Sequence, residues 1–315
     1  MWVIINDKNM IKTVFKLKLD CLIFAANIPL MNNLQTLKTI MRSTPLSVVM
    51  ISSLMKAGAE GIIKVLGLGT VDFINKIREG IGYIDTISNE IINRDYAATV
   101  DLKTTKQYID NNQLYLPKKI SPLTSSHKLV AIGTSTGGPK ALQQVITKLP
   151  ADLPCGVVIV QHMPPGFTKS LAERLNQLSA VTVKEAENGD YIKPAHVYIA
   201  PGDYHMLVRR EALGEVISLN QNPPIGNHRP SVNALFESVV PFGKSLVAVI
   251  LTGMGNDGAE GMQHIKRANG YIIAEDKSTS VVYGMPKAVV DLGIADEVLP
   301  VDRIASAIVN AVKRN

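Results

Sequence analysis

Five short apolar runs, Leu129–Ile132, Val157–Val160, Val197–Ala200, Leu246–Leu251 and Tyr271–Ala274, constrain this chain more than any other feature. Each is rich in β-branched and aliphatic residues and lacks the alternation of a half-exposed strand, so each reads as a strand buried on both faces. Between them, Pro139–Leu149, Phe167–Leu178, Pro230–Val240 and Asp257–Ala268 show helical spacing, several opening with Pro or Asp at a helix start. Strands alternating with crossover helices predict a doubly wound α/β domain, with a mostly parallel, Rossmann-like sheet, over residues 127–315.

The preceding residues have another texture. Residues 1–95 carry apolar runs at Trp2–Ile5, Leu22–Phe24 and Val48–Ile51, again α/β in character but short for a domain. Residues 96–126 lose apolar periodicity and collect Thr, Lys, Asn, Ser and two prolines, which is the composition of a linker. No repeat of about 20 to 50 residues is visible, which argues against a solenoid.

Composition narrows the function classes. The 315 residues suffice for about two domains. Of 33 basic and 27 acidic side chains, 15 and 10 fall within residues 1–125, so the C-terminal part is nearly neutral. With 5% aromatic residues there is no basic, aromatic-laced surface of the kind that nucleic-acid binding calls for. Cys21 and Cys155 stand apart inside apolar runs and can build neither a disulfide framework nor a thiolate zinc site. No stretch reaches the roughly 18 to 20 apolar residues of a membrane span, and the N-terminus lacks a cleavage site of small residues. A cytoplasmic location and no membrane insertion are expected.

Three polar residues follow predicted strands closely. Ser135 lies in Gly133-Thr-Ser-Thr-Gly137, a match to G-x-S-x-G, in which small neighbours let a tight strand-to-helix turn push the hydroxyl outward. The next backbone N–H, that of Thr136, is then a candidate oxyanion donor. His162 emerges from the second strand into a Pro/Gly loop, and Asp257 stands in the glycine-rich turn after Leu246–Leu251. Each has a structural alternative: a phosphate-binding or merely tight turn for Ser135, a satisfied loop imidazole for His162, a helix N-cap for Asp257. Their shared position is what favours chemistry, because the carboxyl ends of parallel strands lie on one edge, where ligand sites form. A hydroxyl is a weak nucleophile near pH 7, so His162 would take its proton and Asp257 would fix the imidazole tautomer.

The C-terminal segment resembles the chemotaxis protein-glutamate methylesterases, the CheB family, over about residues 128–315. The resemblance is carried by Gly133–Gly138, Gln161–Thr168, Tyr198–Asp203, His228–Val232, Ile250–Gly258 and Tyr283–Pro286. It implies a Ser135, His162 and Asp257 triad, the Met254 backbone N–H near the oxyanion, and His228, Arg229 and Ser231 near the site. It implies hydrolysis of methylated glutamates, with deamidation of certain glutamines, on the cytoplasmic domain of methyl-accepting chemotaxis receptors. No cofactor or metal is expected for that chemistry.

The same family carries an N-terminal flavodoxin-like receiver domain. Met31–Leu37, Val48–Ser53 and Asp72–Lys76 resemble receiver segments, with Ser52 and Lys76 at the hydroxyl and lysine positions. The phosphoacceptor is missing: Ala25 occupies the place of the aspartate after Asp20–Phe24. Asn6-Asp7 resembles the acidic pair, yet Ala25 follows Asp7 by only 18 positions, so an α/β unit is absent. A truncated receiver without its carboxylate is not expected to take a phosphoryl group from a histidine kinase, and one fewer acid weakens any Mg²⁺ site.

Two rival functions remain at this level. Gly253-Met-Gly-Asn-Asp-Gly258 satisfies G-x-G-x-x-G, and Glu275 falls about 20 residues later, as in a dinucleotide-binding module. The other is a catalytically silent regulatory protein that kept the fold.

Overall fold

The computed structural model describes strands Cys21–Ala26, Ser47–Ser52 and Asp72–Asn75, and residues 128–313. The chain divides into two compact units, Met1–Gln113 and Leu114–Asn315. In the first, β1 (Cys21–Ala26), β2 (Ser47–Ser52) and β3 (Asp72–Asn75) pair in parallel in that order. Ala25 stands opposite Ile51, and Ser52 opposite Asn75, so the three strands end on one edge. The expected strand at Trp2–Ile5, the Asn6-Asp7 pair, the Met31–Leu37 segment, Lys76 and the 96–126 linker lie outside the described residues.

The second unit is the doubly wound α/β domain. Its strands are β4 (Leu129–Thr134), β5 (Gly156–Gln161), β6 (Thr182–Glu185), β7 (His196–Ile199), β10 (Leu246–Ile250), β11 (Tyr271–Glu275) and β12 (Glu297–Leu299). All pair in parallel, in the order β12-β11-β10-β4-β5-β7-β6. The chain runs outward from β4 through β5, then returns to lay β10 on the other side of β4. That reversal opens a crevice beyond the carboxyl ends of β4 and β10, where doubly wound sheets place their sites.

The five apolar runs supply the central strands because both their faces are covered. Leu129, Ala131, Val158, Val160, Ala248 and Ile250 pack in one cluster with α3 (Val232–Val239), α4 (Ala259–Arg267) and α5 (Met285–Asp291). The alternate residues Val130, Ile132, Val157, Ile159, Val247 and Val249 are buried on the opposite face. Helices α1 (Gly138–Ile146), α2 (Phe167–Leu178) and α6 (Val301–Lys313) complete the layers, α6 packing on α1 and on β11.

An antiparallel hairpin not anticipated from the sequence, β8 (His205–Glu211) and β9 (Gly214–Asn220), adds Met206, Val208 and Ile217 to the first cluster.

Three helix starts differ from the spacing, α1 by one residue at Gly138. α3 begins at Val232 rather than Pro230, because the Ser231 side chain caps it by accepting the Ala234 N–H. α4 begins at Ala259, after Gly258 adopts φ +97°, leaving Asp257 outside its own helix. Among the described residues no helix is long and apolar enough to cross a membrane.

Candidate active site

Ser135 and His162 leave adjacent strands at the same level. The last paired residues of β4 and β5 are Thr134 and Gln161, and the His162 N–H donates to the Thr134 carbonyl at 3.1 Å. The Ser135 N–H donates to the Thr252 carbonyl, at the exit of β10, at 3.0 Å. Ser135 is thereby held between the two strand exits that flank the crevice. The turn is tight: Gly137 has φ +81°, and a Cβ on Gly253 would lie 2.9 Å from the Ser135 Cβ and 2.2 Å from the Met285 sulfur. Only hydrogen fits at Gly253.

Asp257 caps a helix, though not the one its position in the chain suggests. Its Oδ2 accepts the Val232 N–H at 2.7 Å, and its Oδ1 accepts the Asn233 N–H at 2.9 Å and the Ser231 hydroxyl at 3.0 Å. These are donors at the N-terminus of α3, where a negative charge is favoured. The same Oδ2 lies 2.8 Å from the His162 Nε2. Burial works against the charge on Asp257, but the His162 ring and the two amides outweigh it and hold the carboxyl below its usual range. Asp257 is therefore ionised at neutral pH and can only accept, so the His162 proton sits on Nε2. Nδ1, which carries the lone pair whenever the ring is neutral, is buried and has no hydrogen-bond partner among the described residues. The two side chains are 8% and 7% exposed, dry enough for the contact to be strong.

His228 covers the other side of this pair. Its ring stacks on that of His162 with centroids 3.9 Å apart and planes 8° apart. Burial, reinforced by His162, pushes the His228 imidazole down to about 4 against a smaller opposing effect of Asp257, so it is neutral near pH 7.

Arg229 is turned to another task. Its Nε and Nη2 donate to Asp203 Oδ1 at 3.0 and 2.6 Å, and its Nη1 donates to the Gln221 and Asn222 carbonyls. It fastens the loop after β9 rather than facing the reacting groups. Ser231 serves Asp257 and α3 together. Thr136 is buried and its carbonyl accepts the Thr252 hydroxyl at 2.9 Å, whereas Met254 is 40% exposed at the mouth of the crevice. The N–H groups of Thr136 and Met254 have no partner among the described residues. Among the described residues the hydrogen bonds of Ser135 run through its backbone: its N–H to Thr252 and its carbonyl to the Gln161 amide and the Gly138 N–H.

Sequence reasoning gave no supporting role to three residues that the structure draws in. The Gln161 amide donates to the Ser135 and His162 carbonyls at 2.9 and 3.2 Å. Thr252 collects the Ser135 N–H and the Thr134 hydroxyl on its carbonyl. Glu275 accepts the Thr252 N–H at 2.8 Å. Each is polar and buried at a strand exit; the only trace in the sequence is a polar residue closing an apolar run, which many strands share.

The CheB methylesterase family model matches residues 130–308, the span that holds the whole of this arrangement. The chain belongs to the CheB methylesterase family. It is 45% identical over 316 residues to a protein-glutamate methylesterase/protein-glutamine glutaminase of Symbiobacterium thermophilum, covering 96% of this chain and 86% of that relative. A relative of the same name in Pseudomonas aeruginosa is 43% identical, covering 94% of this chain and 84% of its own length. The crystal structure of the Thermotoga maritima CheB methylesterase catalytic domain is 47% identical and superposes with a TM-score of 0.58, over 59% of this chain and 99% of that one. Membership places the chain among carboxylic ester hydrolases.

The dinucleotide reading fails on geometry. In this CheB methylesterase fold Asp257, inside the G-x-G-x-x-G segment, is committed to His162, and Glu275 is 0% exposed with its carboxyl turned to Thr252. A ribose hydroxyl cannot reach it.

Proposed function

We propose that this chain hydrolyses glutamyl methyl esters on the cytoplasmic domain of methyl-accepting chemotaxis receptors, with Ser135 as nucleophile, His162 as general base and Asp257 as its orienting acid. The observation that carries the reading is the 2.8 Å contact from His162 Nε2 to Asp257, which leaves the buried Nδ1 unpartnered beside the strand exit where Ser135 emerges.

In the acylation step the Ser135 oxygen attacks the ester carbonyl while Nδ1 takes its proton. The imidazolium so formed faces the ionised Asp257, which stabilises it. The carbonyl oxygen, now negative, needs donors that are free beforehand, and the Thr136 and Met254 N–H groups fit that requirement. Nδ1 returns the proton to the departing methoxide, which leaves as methanol. Water, activated at the same nitrogen, then attacks the acyl-enzyme and releases a glutamate carboxylate and the serine hydroxyl. A glutamine amide follows the same course with ammonia leaving, which fits the double name of the relatives.

A cytoplasmic location follows from the receptor domain addressed. With Ala25 at the end of β1 no aspartyl phosphate forms there, so activity is independent of phosphorylation. The test is methanol release from a methylated receptor fragment by the full chain, with and without acetyl phosphate. Equal release in both supports the reading. Absence of release sinks the substrate assignment, and stimulation by the phosphodonor sinks the claim of independence.

A further inference from the structure

Glu275 closes β11 as a carboxyl that the reaction above does not use, and it is 0% exposed. Burying such a group is expensive unless its oxygens are satisfied. Here the surroundings offer donors on both sides. The Thr252 N–H donates to Oε2 at 2.8 Å and the Thr279 hydroxyl to Oε1 at 3.0 Å. The Thr279 oxygen in turn accepts the Val301 N–H at 2.9 Å, so its single proton is left for Glu275. A side chain with two acceptors fits this pair of donors.

Thr252 is where this arrangement meets the chemistry. Its carbonyl accepts the Ser135 N–H and the Thr134 hydroxyl, and its hydroxyl donates to the Thr136 carbonyl at 2.9 Å while accepting the Val282 N–H at 2.9 Å. Gly253 and Met254 follow it directly. One residue therefore carries the backbone of the nucleophile turn on one side and leads into a candidate oxyanion N–H on the other. Its own amide is anchored by Glu275.

We propose that Glu275 is a positioning residue for ester hydrolysis: by holding the Thr252 amide and the Thr279 hydroxyl it fixes the strand-exit loop that sets Ser135 and the Met254 N–H against each other. The inference rests on the assignment of Ser135 as nucleophile. Misplacing reacting groups by about 1 Å lowers a rate by about 10²-fold, so a side chain that only aims a loop can govern turnover. Burial is the largest influence on the carboxyl and pushes it up to about 7, with Asp276 adding to the rise and the Thr252 amide, the Thr279 hydroxyl and Lys140 opposing it.

The experiment compares wild type, Glu275→Gln, Glu275→Leu, Thr279→Val and Ser135→Ala for methanol release from a methylated receptor fragment, with a thermal melt of each. Gln keeps an acceptor for the Thr252 amide and can turn its NH₂ toward the Thr279 oxygen; Leu fills the volume and accepts nothing. Glu275→Leu is expected to lose about 10²-fold in kcat with KM within about twofold, because substrate contacts are untouched. Glu275→Gln is expected within about fivefold of wild type.

A folded Glu275→Leu protein with wild-type kcat, or Gln and Leu variants impaired alike, would overturn the inference. Should Glu275→Leu fail to fold, Thr279→Val decides: it removes one donor only, and an unchanged kcat counts against the proposal while a fall in kcat at constant KM supports it. If Ser135→Ala retains activity, the nucleophile assignment itself has failed; if it is inactive while Glu275→Leu is not, only the role of Glu275 falls.

Discussion

The imidazoles of His162 and His228 lie face to face, 3.9 Å between centroids and 8° between planes. His228 is kept neutral by burial beside another imidazole, so in the proposed mechanism it presents a π face to a ring that becomes cationic during acylation. It also blocks rotation of His162 away from Asp257. Replacing His228 by Phe keeps the stack, and kcat is expected to stay within about tenfold of wild type. His228→Ala removes it and is expected to lower kcat by about 10²-fold through misorientation of Nδ1. Equal kcat in the two variants would show that the stack has no role in turnover.

Asp257 receives four donors on two oxygens, from Ser231, Val232, Asn233 and His162. An amide in its place must turn NH₂ toward some of them. Asp257→Asn is expected to lower kcat by about 10³- to 10⁴-fold through loss of the correct tautomer, and stability by about 2–3 kcal/mol through unpaired buried donors. The folded carboxyl titrates below its usual value, so its stabilisation is present above the unfolded value of 3.8 and is lost as pH falls through the lower folded one. Urea unfolding at pH 7 checks the stability loss, and a variant as stable as wild type contradicts the capping of α3.

Glu275 acts on stability with the opposite sign. Its folded value of about 7 lies above the ordinary 4.5, so the folded chain holds a proton that the unfolded chain has released between those limits. Stability therefore declines as pH rises from about 4.5 to about 7 and levels off above. Glu275→Gln has no such proton and is expected to flatten that part of the profile. Parallel urea midpoints for the two proteins across this window would refute the assignment.

Two glycines with similar backbone angles separate strain from crowding. Gly137, φ +81°, would place a Cβ 2.6 Å from the Val281 Cβ, whereas Gly166, φ +85°, faces open space. Gly166→Ala is expected to cost about 1–2 kcal/mol for left-handed backbone alone, and Gly137→Ala about 1–3 kcal/mol more for the clash. Equal losses in urea midpoint would mean that the Ser135 turn yields to the added methyl.

Much of the C-terminal fold was legible in the sequence because buried parallel strands read as unbroken apolar runs. α2 begins and ends at the residues its spacing indicates, Phe167 and Leu178. The edge strands were not legible: β6 has a single buried side chain, Val183, and β12 is three residues long. The hairpin β8–β9 escaped notice because its buried residues, His205, Met206, Val208, Val216 and Ile217, break strict alternation and border the exposed Arg209, Arg210 and Glu211.

At the site, spacing pointed to Ser135, His162 and Asp257 through their common edge. It could not tell that Asp257 caps α3 instead of α4, since that depends on which helix packs against the turn. Nor could it show that Arg229 points to Asp203, a choice made by tertiary contacts alone. The roles of Gln161, Thr252 and Glu275 rest on hydrogen bonds between distant segments, which leave no local pattern.

The central claim is that the Ser135 oxygen forms the acyl-enzyme. Its most direct test is the rate of methanol release from a methylated receptor fragment by wild type and by Ser135→Ala, both shown to be folded. The account predicts a loss on the order of 10⁴-fold or more, as for other coupled nucleophile and base pairs. Release by Ser135→Ala at the wild-type rate would contradict it.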